Sequence, residues 1–271
     1  MTAPTLYIET QGTGPDLVLL HGWGLHGGVW DTLLPRLTAD FRVTRVDLPG
    51  HGLSREIPMP ADLADVARLV SAAVPAGAVW LGWSLGGLIA LRAALDAPEK
   101  MRALILVTTT PRFAAAADWP EAMPPEELQE FAAGLGEDYR ETLLRFLSLQ
   151  VRGDESARAS LRQLRDALFA RGEPATAALA AGLELLRVSD LRGGLARLRV
   201  PTLVIAGGYD RLTPAAAGKA LADAIPGARY ALIPKSAHAP FISHPEEFTA
   251  LLTAFMGKLT ETQQLQAGDA R

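Results

Sequence analysis

Short apolar runs bounded by glycine or proline recur at Leu17–Leu20, Phe41–Val46, Ala78–Leu81, Ala103–Val107, Thr202–Ala206 and Tyr230–Ile233. Longer stretches with a helical period, such as Ala61–Val74, Leu85–Leu95 and Ala215–Ile225, lie between them. Strands that read as unbroken apolar runs are buried on both faces, as parallel strands joined by crossover helices are. The pattern predicts an α/β fold with a mostly parallel central sheet flanked by helices.

From about Arg112 to Asp190 the strand signals stop, and a helical period takes over in a segment with many Arg and Glu residues and several aromatics. Val200-Pro201 then opens another buried strand, so the sheet resumes after the interruption. This predicts a core made of residues 1–111 and 191–256, with an inserted helical lid at 112–190. Residues 257–271 are polar, lack an apolar period and are expected to form a disordered tail.

Composition narrows the picture only slightly. The 271 residues are 49% hydrophobic and 21% charged, enough to bury a large core in one interrupted domain. A net charge of −4 offers no general attraction for nucleic acid. No cysteine is present, which excludes disulfides, thiolate metal sites and a cysteine nucleophile. Residues Met1–Thr10 do not read as a secretory signal, and no apolar run reaches membrane-spanning length, so a cytoplasmic enzyme is the expectation.

Candidate chemistry sits where the strands end. The run Ala78–Leu81 enters Gly82-Trp83-Ser84-Leu85-Gly86-Gly87, and a helical pattern follows at once. This is the G-x-S-x-G turn in its required strand-turn-helix setting, and it points to Ser84 as a nucleophile and to an α/β-hydrolase fold. The small residues allow a turn too tight for larger side chains, and the following helix directs backbone N–H groups toward developing negative charge. Acyl transfer needs two such donors. Leu85, after the nucleophile, supplies one. Trp23, in the His21-Gly22-Trp23-Gly24 loop after Leu17–Leu20, is the natural second.

Five histidines compete as base, and the fold requires one on a loop after a late strand. His238, in Pro234-Lys235-Ser236-Ala237-His238-Ala239-Pro240, meets that requirement. His21 and His51 are expected to brace glycine-flanked loops, His244 to serve a helix start, and His26 has no supporting context. Asp210, after Thr202–Ala206, is the expected acid that orients the base. Asp47 also ends a strand but precedes the nucleophile and reads as structural.

Four segments carry a closer likeness: Leu19–Leu25, Val46–Gly50, Trp80–Gly87 and Ala237–Pro245. With tryptophans at 23 and 83 and the string His-Ala-Pro-Phe-Ile-Ser-His-Pro, they resemble the pimeloyl-[acyl-carrier protein] methyl ester esterases of biotin synthesis. The likeness runs from about Leu6 to Met256. It implies a serine carboxylesterase without metal or other cofactor, which releases methanol from the methyl ester of pimeloyl-[acyl-carrier protein]. It also implies substrate contacts from Trp23, Ser84, Leu85 and His238, and from the lid stretch Phe146, Leu147, Ser148, Leu149 and Gln150.

The inserted segment adds Phe113, Trp119, Phe131 and Phe146 as apolar surface for an acyl chain. Arg158, Arg162 and Arg165 recur at helical spacing, with Arg140, Arg145 and Arg152 nearby. Arg140, Arg145, Arg158 and Arg162 are therefore the expected docking residues for an acidic carrier protein. Glu141 stands where the family pattern has arginine. No nucleic acid or membrane partner is expected, and the chain is read as a monomer. A general carboxylesterase or carbon–carbon bond hydrolase with the same triad is the nearest alternative, and a ligand receptor without turnover is a more distant one.

Overall fold

The structure, a computed structural model, describes residues 5–269, with side chains described from residue 5 to residue 259. One sheet contains β1 (Ile8–Gln11), β2 (Asp16–Leu20), β3 (Arg42–Val46), β4 (Ala78–Trp83), β5 (Met101–Val107), β6 (Thr202–Gly207) and β7 (Arg229–Ile233). Their order is β1-β3-β2-β4-β5-β6-β7. Strand β1 runs antiparallel to β3, and every other neighbouring pair is parallel.

The helices are α1 (Leu34–Leu37), α2 (Leu63–Ala73), α3 (Leu85–Asp96), α4 (Pro125–Glu137), α5 (Tyr139–Gln150) and α6 (Ala157–Leu168), followed by α7 (Thr176–Val188), α8 (Arg192–Leu195), α9 (Ala215–Ala224), α10 (Pro240–Ser243) and α11 (Pro245–Asp269). Each forms for a local reason. In α2, Leu63, Val66, Ala67 and Val70 make one buried stripe at helical spacing. Asp62 accepts the Ala64 N–H and so caps one of the orphan donors at the α2 N-terminus. Helix α3 is buried from Leu85 to Leu91, as a helix packed into the sheet's core must be.

All six strands read from apolar runs are present, and one was not foreseen. Strand β1 is short, lies at the sheet edge and has the mostly polar sequence Ile-Glu-Thr-Gln, with little of it buried. The polar tail expected beyond Met256 is a second correction. Helix α11 continues through it to Asp269, its i→i−4 ladder running on past Met256, the last buried residue among those whose side chains are described. Residues 270–271 lie outside the described residues.

Parallel register gathers the loops that matter. Leu20 stands opposite both Val46 and Gly82, Trp83 opposite Val107, and Gly207 opposite Ile233. The C-terminal ends of β2, β4, β6 and β7 therefore open along one edge of the sheet, where ligands bind in open α/β folds. Helices α4–α7, which the chain inserts between β5 and β6, contribute residues that contact the loops on that edge. Among the described residues no helix is long and apolar enough to cross a membrane.

Candidate active site

The chain leaves β4 at Trp83 and turns sharply into α3 at Leu85. Between them Ser84 has φ 55° and ψ −117°. Such a backbone is strained for a residue with a Cβ, at about 1–3 kcal/mol, and persists only where its surroundings dictate it. They do so here. A Cβ on Gly86 would lie 2.5 Å from the Leu20 carbonyl oxygen, and one on Gly82 would collide with the Gly86 backbone. The Ser84 N–H donates to Val107 O at 3.0 Å, and Thr109 Oγ1 donates to Ser84 O at 2.8 Å.

Asp210 lies in the turn after β6, and its carboxylate is fully engaged. Its Oδ1 accepts the N–H groups of Leu212 at 2.9 Å and Thr213 at 3.0 Å. Its Oδ2 accepts the Thr213 hydroxyl at 2.6 Å and His238 Nδ1–H at 2.8 Å. These bonds orient the imidazole through Nδ1. The other nitrogen, Nε2, is buried and has no hydrogen-bond partner. The His238 ring lies 5.7 Å from that of Trp83, the residue before Ser84, and Trp83 Nε1 donates to His238 O at 2.7 Å. An imidazole held through Nδ1 with Nε2 unengaged can take a hydroxyl proton once a serine oxygen comes within reach, and in this structure Ser84 Oγ makes no hydrogen bond to Nε2.

Two amides are placed for the opposite task. Leu85 N–H heads α3, where the first donors have no helical acceptor. Among the described residues, neither it nor the Trp23 N–H meets an acceptor. The Trp23 loop is held from behind by two histidines. His21 Nε2 accepts the Leu48 N–H at 2.9 Å, and its Nδ1 donates to Gly22 O at 2.8 Å. His51 Nε2 accepts the Gly24 N–H at 3.3 Å, and its Nδ1 donates to Pro49 O at 2.8 Å. Both rings must be neutral to accept at Nε2.

Burial pushes His51 down to about 4 and, with His51 close by, His21 well below the usual histidine range. The unfolded chain takes up protons on these rings at a higher pH than the folded one. Stability should therefore fall as pH drops from 6.5 to about 4. Thermal denaturation across that window checks this, and a melting temperature unchanged between the two ends would refute it.

The other sequence candidates are dispersed. Asp47 is buried and accepts the N–H groups of Gly27 at 2.7 Å and Leu53 at 2.8 Å while pairing with Arg171. His26 caps the short turn at Gly27–Trp30, and His244 Nδ1 lies 2.8 Å from Ser243 Oγ. Trp23 Nε1 donates to Leu179 O at 2.9 Å, and its ring meets Phe146 edge-on at 4.8 Å. Phe146 packs in turn on Phe131 at 5.3 Å. Phe146, Leu147 and Gln150 are buried and Leu149 is half-buried. Ser148 is exposed, with its hydroxyl on Leu144 O at 2.8 Å. Five successive helical residues, at about 100° each, cannot share one face.

Ser84 is only 3% exposed and His238 1%, so the inserted helices close the site. Of the arginines read as docking residues, Arg140 pairs with Glu173 and Arg145 with Glu130. Arg158, Arg162 and Arg165 are exposed and, among the described residues, pair with no carboxylate. Sequence reasoning missed Thr213 as a ligand of Asp210. Its hydroxyl is spent on Asp210, and α9 has no side-chain cap. Among the described residues no cluster of three or more His, Asp and Glu side chains could hold a metal.

Comparison with known proteins bears on the family and the fold. A family model described as alpha/beta hydrolase fold matches residues 15–245. The chain is 48% identical over 254 residues to a pimeloyl-[acyl-carrier protein] methyl ester esterase of Xanthomonas campestris pv. campestris (strain B100), covering 94% of this chain and 100% of that protein. It is 47% identical over 255 residues to one of Stenotrophomonas maltophilia (strain K279a), covering 94% and 98%. Among solved structures, a hydrolase from Pseudomonas aeruginosa PA01 is similar, with a TM-score of 0.77 and 32% identity over 93% of this chain and 94% of that one.

Proposed function

The chain belongs to the α/β-hydrolase family and within it to the pimeloyl-[acyl-carrier protein] methyl ester esterases, and on that premise we propose what it does and how. It is a carboxylic ester hydrolase. Its substrate is the methyl ester of pimeloyl-[acyl-carrier protein], and its products are pimeloyl-[acyl-carrier protein] and methanol. The step belongs to biotin biosynthesis and takes place in the cytoplasm.

Ser84 is the nucleophile, His238 the base and Asp210 the acid that orients it. The carrying observation is the 2.8 Å bond from His238 Nδ1 to Asp210 Oδ2 beside the strained serine turn, with Nε2 left over. As Ser84 Oγ attacks the ester carbonyl, its proton passes to His238 Nε2 and the carbonyl oxygen becomes an oxyanion. The N–H groups of Trp23 and Leu85 hold that charge. When the bond to the methoxy oxygen breaks, Nε2 returns the proton and methanol leaves. Water, deprotonated by the same nitrogen, then attacks the acyl-enzyme, and collapse returns Ser84 and the free carboxylic acid. Phe146, Leu147, Leu149 and Gln150 line the path of the acyl chain once α5, part of a lid, moves away from Trp23.

The carrier protein docks on α6. Free Arg158 and Arg162 support this more than Arg140 and Arg145, whose charges are already met by Glu173 and Glu130. Incubation with methyl pimeloyl-carrier protein should give, by mass spectrometry, loss of the methyl group with the thioester intact. Loss of the whole acyl group would make the enzyme a thioesterase instead. In the same assay, the Arg158→Glu/Arg162→Glu double variant should lose roughly tenfold or more in kcat/KM while hydrolysing p-nitrophenyl butyrate as the parent does. Equal losses on both substrates would place the docking surface elsewhere.

A further inference from the structure

The backbone of His238 is clamped from two sides. Its carbonyl oxygen accepts Trp83 Nε1–H and the Thr108 hydroxyl, each at 2.7 Å, from the sheet. Its N–H donates at 2.9 Å to the carbonyl oxygen of Gln150, the last residue of α5. One residue earlier, the Ala237 N–H donates at 3.2 Å to Asp154 Oδ2. Asp154 is 8% exposed and stands in the turn between α5 and α6. Its other oxygen, Oδ1, accepts both the N–H and the hydroxyl of Ser156 at 2.8 Å each. Ser156 is the residue that enters α6, the helix that carries Arg158 and Arg162.

A single buried carboxylate thus joins the first turn of α6 to the loop of the base. We infer that Asp154 is a positioning residue: it holds His238 in working register with Ser84 while the inserted helices are seated on the sheet edge. The closed site gives this bond its importance. Substrate cannot reach Ser84 unless α5 and α7 draw back from Trp23, and the same movement pulls on the Gln150 and Asp154 acceptors. Reseating the helices restores the base, so the imidazole is set for proton transfer when the site is closed around its substrate. An orienting bond of this kind acts through small displacements, which are costly to near-attack geometry. The inference rests on the triad proposed above.

The test uses the full chain, p-nitrophenyl butyrate and a fluorophosphonate that labels a reactive serine. Asp154→Ala should lower kcat about tenfold with KM within about twofold, and slow labelling of Ser84 in parallel. Asp154→Asn, whose one oxygen stays with the two Ser156 donors and whose NH2 then faces the Ala237 N–H, should be nearly as slow as the Ala variant while melting like the parent. Melting temperatures recorded alongside show that both variants are folded. Unchanged kcat and labelling in folded Asp154→Ala overturns the inference, as does an Asn variant as fast as the parent. If the parent itself resists the fluorophosphonate, the triad reading fails instead, and the two failures are distinct.

Discussion

Ser84→Ala is expected to lower kcat on the order of 10⁶-fold on any ester the enzyme accepts, with the fold intact. The alanine removes the only atom that can form the acyl bond, while Nε2 of His238 and the amides of Trp23 and Leu85 remain in place. What persists should be the small rate that polarisation and binding supply to direct attack by water. Alanine also has to adopt φ 55°, as Ser84 does, so the strain at the turn is retained and little stability should change. Steady-state kinetics with p-nitrophenyl butyrate, together with loss of fluorophosphonate labelling, checks this. Turnover near the parent rate would mean that another group attacks the ester.

The second large effect is expected from Asp210→Asn, on the order of 10⁴-fold in kcat. The hydrogen bonds around this carboxylate indicate how the loss arises. At the Oδ1 position an amide NH2 would face two backbone donors, from Leu212 and Thr213, which cannot turn away. The NH2 must therefore take the Oδ2 position, where the Thr213 hydroxyl can rotate to accept but His238 Nδ1 must lose its proton. The imidazole is driven into the tautomer protonated at Nε2, the nitrogen that should take the serine proton. Geometry survives and the base does not. A kcat within about tenfold of the parent, in a variant that melts like it, would show that Asp210 does not set the tautomer.

The sheet was legible because its central strands are buried on both faces, and runs such as Leu17–Leu20 and Thr202–Ala206 have no other place in a globular chain. Strand β1 was not, since Ile8–Gln11 owes its conformation to pairing with β3 rather than to its own residues. The residues of the proposed triad stood out for the same reason as the strands: Ser84, Asp210 and His238 lie in the loops that follow apolar runs. Distant engagement was hidden. The Thr213 hydroxyl on Asp210, the Gln150 carbonyl on the His238 N–H and the Asp154 carboxylate on Ala237 depend on loops that meet only in three dimensions. A main-chain acceptor like that of Gln150 leaves no mark on residue type at all. Nor could spacing tell that Arg140 and Arg145 are neutralised by Glu173 and Glu130, which lie 33 and 15 positions away.

The clamp on residue 238 also bears on attempts to widen the range of esters hydrolysed by grafting a foreign cap between β5 and β6. The exchanged segment would have to bring its own oxygen to the amide of residue 238 and another to that of residue 237. A graft chosen for cavity shape alone would leave those two amides unmet and the general base adrift, yielding a roomier enzyme that turns over poorly.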